Sequence, residues 1–136
     1  MKLAFACHLL ATFILATFGF VYLFHRQFMP YHADALAMPW REVSPAFQAL
    51  VLALMKAVGG ACLAVTVLEL VLLFIPFRQG LRWARWAIPG GGLVACATSF
   101  YAMIFLALNT PATPPWIAPG AGALLLLAGL VLSLKE

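Results

Sequence analysis

Residues 45–75 read PAFQALVLALMKAVGGACLAVTVLELVLLFI, and this stretch decides the fold. It carries two charges, Lys56 and Glu69, and is apolar almost throughout. As one helix from Pro45 to Ile75 it is about 45 Å long, against a hydrocarbon core of about 30 Å. A soluble helix has no use for so long an apolar cylinder, whereas a membrane requires one. Ser44 before Pro45 reads as an N-cap followed by proline at the first helical position, and Pro76 closes the run.

The rest of the chain agrees. Of its 136 residues 65% are hydrophobic and 9% charged, with mean hydropathy +1.04. Soluble domains are roughly half apolar and about a quarter charged, so a soluble globular domain, a disordered chain and a disulfide scaffold are all excluded. The apolar runs are continuous rather than alternating, which argues against a membrane β-barrel. Four spans of about 20 residues fill the chain. The expected fold is therefore all-α: a single-domain integral membrane bundle, 1–136, of four transmembrane helices at about 3–24, 46–75, 84–108 and 115–134, with an ordered loop between the first two. Lys2 followed by an apolar run to Leu23 has the outline of a signal peptide, but the run is long and ends in bulky Phe20 to Phe24, so it reads as a retained span.

Basic residues set the expected orientation. Arg78, Arg82 and Arg85 lie between spans two and three, and Lys2 and Lys135 lie at the ends; Arg26 and Arg41, on the other side, are offset by Asp34 and Glu42. This predicts a multi-pass protein of the cell inner membrane with both termini cytoplasmic. The net charge of +4 is spread along the chain and is no nucleic-acid signal. Trp83 and Trp86 fit an inner aromatic belt, and Tyr31, Trp40 and Trp116 an outer one.

Depth sorts the polar groups. Lys56 lies about 28 Å from Ile75, at the outer interface, where its stem can snorkel. Residues Ala46 to Met55 then protrude by about 15 Å. They are apolar, so the loop from His25 to Ser44 is expected to fold over them; the rival is a bend at Gly59 and Gly60. Glu69 lies about 9 Å deep, where a carboxylate must be protonated or partnered. His8 sits at nearly the same depth on span one, and His8 with Glu69 is a candidate intramembrane polar pair; Arg82 or Arg85 are further candidate partners. Cys62, Thr66 and Glu69 share one face, as do Gly92, Cys96, Ser99 and Met103, and these faces are expected to pack together. The small residues Ala53, Ala57, Gly60 and Ala64 are expected to allow close helix approach. Gly90 to Gly92 near Pro89 suggests a kink or close packing and lacks the pattern of a phosphate cradle.

His25, His32, Asp34 and Lys56 form the candidate ligand-binding cluster outside. Imidazole and carboxylate suit a divalent cation, but Arg26 and Lys56 disfavour one, and basic groups suit a lipid headgroup or anionic ligand. No metal site, cofactor or catalytic grouping is predicted. Cys7, Cys62 and Cys96 form no paired motif. His8 and His25 are about 25 Å apart on one helix and cannot share a haem iron.

The stretch Phe28-Met29-Pro30-Tyr31-His32, then Trp40, then 52–60 (LALMKAVGG), resembles an uncharacterised kind of small four-helix bacterial inner-membrane protein. The resemblance implies a bacterial inner membrane and weight on His32 and Lys56, and no activity. The leading functional expectation is a non-enzymatic accessory or small-ligand- or lipid-binding subunit. Its partners would be the bilayer and another membrane protein or a second copy. The alternative is a small oligomeric transporter or proton-coupled carrier using Glu69 and His8. The third is a membrane enzyme using His25, His32, Asp34 and Lys56.

Overall fold

The computed structural model describes residues 2–135. Four helices are long and apolar enough to cross a membrane: α1 (Lys2–Phe24), α3 (Pro45–Leu72), α4 (Ala84–Asn109) and α5 (Ile117–Leu134). A short helix, α2 (Pro30–Leu36), lies in the connection between α1 and α3. The chain is thus an all-α, multi-pass membrane bundle with an ordered first loop, as its composition requires.

α3 starts as the sequence indicates. Ser44 is the N-cap, its Oγ accepting the Phe47 N–H at 3.4 Å, with Pro45 at the first helical position. Its end differs. Instead of stopping before Pro76, the helix runs on through a π-helical turn, Leu73–Phe77, that contains it. Proline has no N–H to give and crowds the preceding turn, and a widened turn relieves both effects. The turn buries Leu73 and Phe77 against Ala4, Ala84 and Ile88, which closes the basic end of the bundle.

α1 is the central helix. It packs most extensively on α3 and next on α5; α5 packs on α4, while α3 and α4 meet far less although they are consecutive. The α1–α3 contact is a crossing of backbones. A Cβ on Gly59 would sit 2.6 Å from Leu23 N and 2.7 Å from Gly19 O. Small residues let membrane helices approach this closely, and dispersion then replaces the hydrophobic drive that lipid cannot supply. One turn beyond, Lys56 Nζ donates to Leu23 O at 3.0 Å. That carbonyl lies in the last turn of α1 and has no partner within its own helix, so a cation from α3 caps it.

α3 is continuous through Gly59 and Gly60, and the first loop covers its outer part as expected. One expectation is corrected here. The stripe Ala53, Ala57, Gly60 and Ala64 does not mediate contact within the chain: three of its members are exposed, and nothing lies within 4 Å of a Cβ placed on Gly60. The seam runs one position away, through Gly59.

The first loop folds over one face of the protruding end of α3. Tyr22, Phe28, Val43 and Met55 form a buried cluster, with Trp40, Val51 and Leu52 packed against it. Phe28 and Trp40 meet edge to face at 4.9 Å. Gln48 Nε2 donates to the carbonyls of Trp40 and Val43, tying the loop to the helix it covers. Phe47, Leu50 and Leu54 remain exposed, so the cap shields one side only.

Replacing Gly59 with alanine forces two backbones apart and should destabilise the bundle by about 1–3 kcal/mol, the usual range for overpacking. Gly60→Ala should leave it unchanged. Thermal unfolding of both variants in the same detergent checks the contrast.

Candidate functional site

Because α3 and α4 touch little, a cleft of about 870 Å³ opens between them, with α1 and α5 behind it. It runs along α3 from Val58 to Glu69, about 16 Å. Its walls are mainly aliphatic and aromatic, with Tyr22, Tyr31 and His32 at the cap end and Glu69 at the other. The two predicted faces therefore meet only at their base. Glu69 lies against Gly92, but Cys62, Cys96, Ser99 and Met103 line the open cleft instead of packing on one another.

Glycine makes the floor. A Cβ on Gly92 would lie 2.8 Å from Glu69 Oε1 and 2.6 Å from Leu126 Cδ1, so any larger residue would evict the carboxyl. Glu69 is 4% exposed. Its Oε2 is 3.0 Å from Thr12 Oγ1, which is itself 2.9 Å from the His8 carbonyl oxygen one turn back on α1. Its Oε1 has no hydrogen-bond partner among the described residues.

Three other hydroxyls in this region have their protons committed. Ser99 donates to Ala95 O, Thr98 to the carbonyls of its own helix, and Thr66 to Cys62 O. Glu69 Oε1 is a buried oxygen without a hydrogen-bond partner among the described residues, on a residue that lines the cleft.

His8 is fully buried near the same end. It lies edge-on to Phe77 at 5.5 Å and against Gly129, where a Cβ would sit 2.7 Å from its Cε1. Neither ring nitrogen has a hydrogen-bond partner among the described residues. His8 and Glu69 are therefore linked through Thr12 and the His8 backbone, not ring to carboxyl. Nor is Arg85 the partner of Glu69: its Nη1 donates to Ser133 O at 2.8 Å, in the last turn of α5.

The outer candidates stand in different surroundings. His25 and Asp34 are exposed. Lys56 is engaged with Leu23 O. His32 Nδ1 accepts the Met29 N–H at 3.3 Å, and its ring stands edge-on to Tyr22, Phe28 and Tyr31. No group of three or more His, Cys, Asp or Glu is arranged to hold a metal ion among the described residues. The Tyr22 and Tyr31 hydroxyls are hydrogen-bonded, which fastens α2 to α1. Burial pushes the Tyr31 phenol up to about 12 and holds the His32 imidazole below its ordinary value.

Thr12 and Gly129 escaped the sequence reading. Thr12 lies four positions from His8 and so on its face, a signal available in the sequence. Gly129 among the leucines of α5 gave no such sign. Comparison with protein-family models, curated proteins and solved structures finds no match.

The cap should respond to pH at both ends of the scale. His32 is held neutral by burial and accepts at Nδ1, so the unfolded cap binds the extra proton first. Stability is then lost as the pH falls through the ordinary imidazole range and below. Above the ordinary phenol range the unfolded cap releases the Tyr31 proton while the folded cap keeps it to about 12, so stability falls again. Trp40 fluorescence against pH checks both limbs. His32→Phe should flatten the acid limb, and Tyr31→Phe the alkaline one.

Proposed function

We propose that this chain is a non-enzymatic membrane subunit that binds one chain-bearing lipid or small amphipathic molecule in the cleft between α3 and α4. The observation that carries this reading is the cleft itself, a long apolar trough with a buried carboxyl at its floor. Ligand sites are concave, mostly apolar and furnished with few polar groups, which describes this one. Its entrance faces the hydrocarbon, so the ligand comes from the bilayer.

The reading extends to location. Lys2, Arg78, Arg82, Arg85 and Lys135 cluster at one end of the bundle, against Arg26 and Arg41 with Asp34 and Glu42 at the other. By the positive-inside rule this supports cytoplasmic termini and an external cap, in a bacterial inner membrane. The aliphatic faces still exposed, such as those of Leu50, Leu54 and Leu108, leave room for another membrane protein or a second copy.

A second reading rests on a separate observation. His8 and Glu69 both carry buried polar atoms without hydrogen-bond partners among the described residues, which suits a proton-coupled carrier. Under that reading Glu69→Gln abolishes flux in reconstituted vesicles; under the binding reading the variant is folded and there is no flux to lose.

Gently solubilised protein should show a single lipid-sized adduct in native mass spectrometry. Filling the cleft with Ser99→Phe should remove that adduct, while Leu108→Phe on the exposed face should keep it. An adduct unchanged in Ser99→Phe contradicts the site. For orientation, cysteine placed at Gln79 should label only from the cytoplasmic side and cysteine at Ser44 only from outside.

A further inference from the structure

The basic end of the bundle carries a charge that the fold itself does not balance. Three stretches of the chain meet there around one apolar cluster: Ala4 of α1, then Leu73, Phe77, Ala84 and Ile88 from the π turn and the start of α4, with Leu132 of α5 packed against them. Each stretch brings cations within three residues of its members of the cluster. Lys2 precedes Ala4, Arg78 follows Phe77, Arg82 and Arg85 flank Ala84, and Lys135 follows Leu132. Packing therefore gathers five cations at one end.

Arg85 is tied back to Ser133 O, but Lys2, Arg78, Arg82 and Lys135 are exposed. No acid among the described residues stands beside them: Asp34 and Glu42 lie in the first loop at the opposite end, and Glu69 is buried inside the bundle. Trp83 and Trp86, at the start of α4, are exposed as well, and three positions apart they share a face. Amphipathic rings of this kind sit at headgroup level in membrane proteins. The patch thus lies where the spans leave the hydrocarbon, at the depth of lipid phosphates. That depth and the tryptophans favour a lipid over an acidic protein, which would meet the patch from water.

We propose that this end of the bundle binds anionic phospholipids of the adjoining leaflet in preference to zwitterionic ones, their phosphates meeting Lys2, Arg78, Arg82 and Lys135 and their upper chains lying against Trp83 and Trp86. Clusters of roughly four to eight basic residues beside membrane helices attract anionic lipid, each cation near the surface contributing about fivefold. A guanidinium presents a planar fork of donors that matches phosphate oxygens, so Arg78 and Arg82 carry most of the preference. The site is separate from the cleft between α3 and α4, and its occupancy does not depend on what the cleft holds.

The test uses the full chain in phosphatidylcholine bilayers holding a trace of spin-labelled lipid, either phosphatidylglycerol or phosphatidylcholine. Electron paramagnetic resonance reads how much of each label is immobilised against the protein. The expected result is a preference of about fivefold for phosphatidylglycerol, weakening as salt is raised. Two variants remove the same charge from opposite ends: Arg78→Gln with Arg82→Gln, and Arg26→Gln with Arg41→Gln. All four arginines are exposed, so both variants should fold. The first should remove most of the preference and the second should leave it. Arg78→Lys with Arg82→Lys should recover part of it. Equal selection of the two lipids by the unaltered chain overturns the proposal and leaves the patch to an acidic partner from water. A preference unchanged in Arg78→Gln with Arg82→Gln overturns it too. So does an equal fall in both paired variants, which assigns the effect to net charge and not to this end. Loss of the preference in Ser99→Phe, with every arginine in place, puts the anionic lipid in the cleft and overturns the site.

Discussion

Everything in this molecule hangs on the crossing of α1 and α3 at Gly19 and Gly59. There two backbones approach so closely that neither position admits a side chain without movement. The contact commits α3 to α1, and α5 takes the other side of α1. α4 is then left to pack on α5, although its chain neighbour is α3. A short connection normally makes consecutive helices close partners. Here the π turn around Pro76 and the buried cluster of Leu73, Phe77 and Ile88 hold α3 and α4 together at one end only. Away from that end they separate, and the cleft is the space between them.

Polar groups within the spans and at their ends are few, and four of them have a specific seat. Lys56 caps the last turn of α1, and Arg85 does the same for α5. Both are cations at helix C-termini, where unsatisfied carbonyls and the helix dipole favour them. Two glycines make room for the deeper groups, Gly92 for the Glu69 carboxyl and Gly129 for the His8 ring. The packing that admits Glu69 leaves one of its oxygens buried without a partner among the described residues. An acid retained at such depth without complete satisfaction by the fold fits a role toward something outside the fold. The cap completes the arrangement, since Tyr22, Tyr31 and His32 belong both to its packing and to the far end of the cleft.

Much of the fold was legible in the residues. Continuous apolar runs set the number of spans, and Ser44-Pro45 marked the start of α3. The apolar protrusion of α3 implied a covering loop, and the loop is there. Depth along α3 separated Lys56, which reaches the end of α1, from Glu69, which does not leave the interior. The neighbours of each helix were not legible. In water the apolar stripe of a helix points to the core, but in lipid both faces are apolar and the pattern carries no direction. Hence Gly60 read as well as Gly59 for the seam, and the faces of Cys62 and Cys96 were expected to touch. Nor was it legible that Phe28 and Trp40 meet edge to face and so set how the first loop packs.

The proposed reading puts an uncharged Glu69 carboxyl at the floor of a cleft that a lipid chain fills. Solid-state NMR of the protein in bilayers, with carbon-13 in the glutamate side chains, tests it without altering a residue. The other described glutamate, Glu42, is exposed and lies outside the spans, so the intramembrane carboxyl is distinguishable. The account predicts a protonated-carboxyl shift for Glu69 and direct magnetisation transfer to its carboxyl carbon from lipid-chain methylene protons. A carboxylate shift, or transfer from protein protons alone, would contradict it.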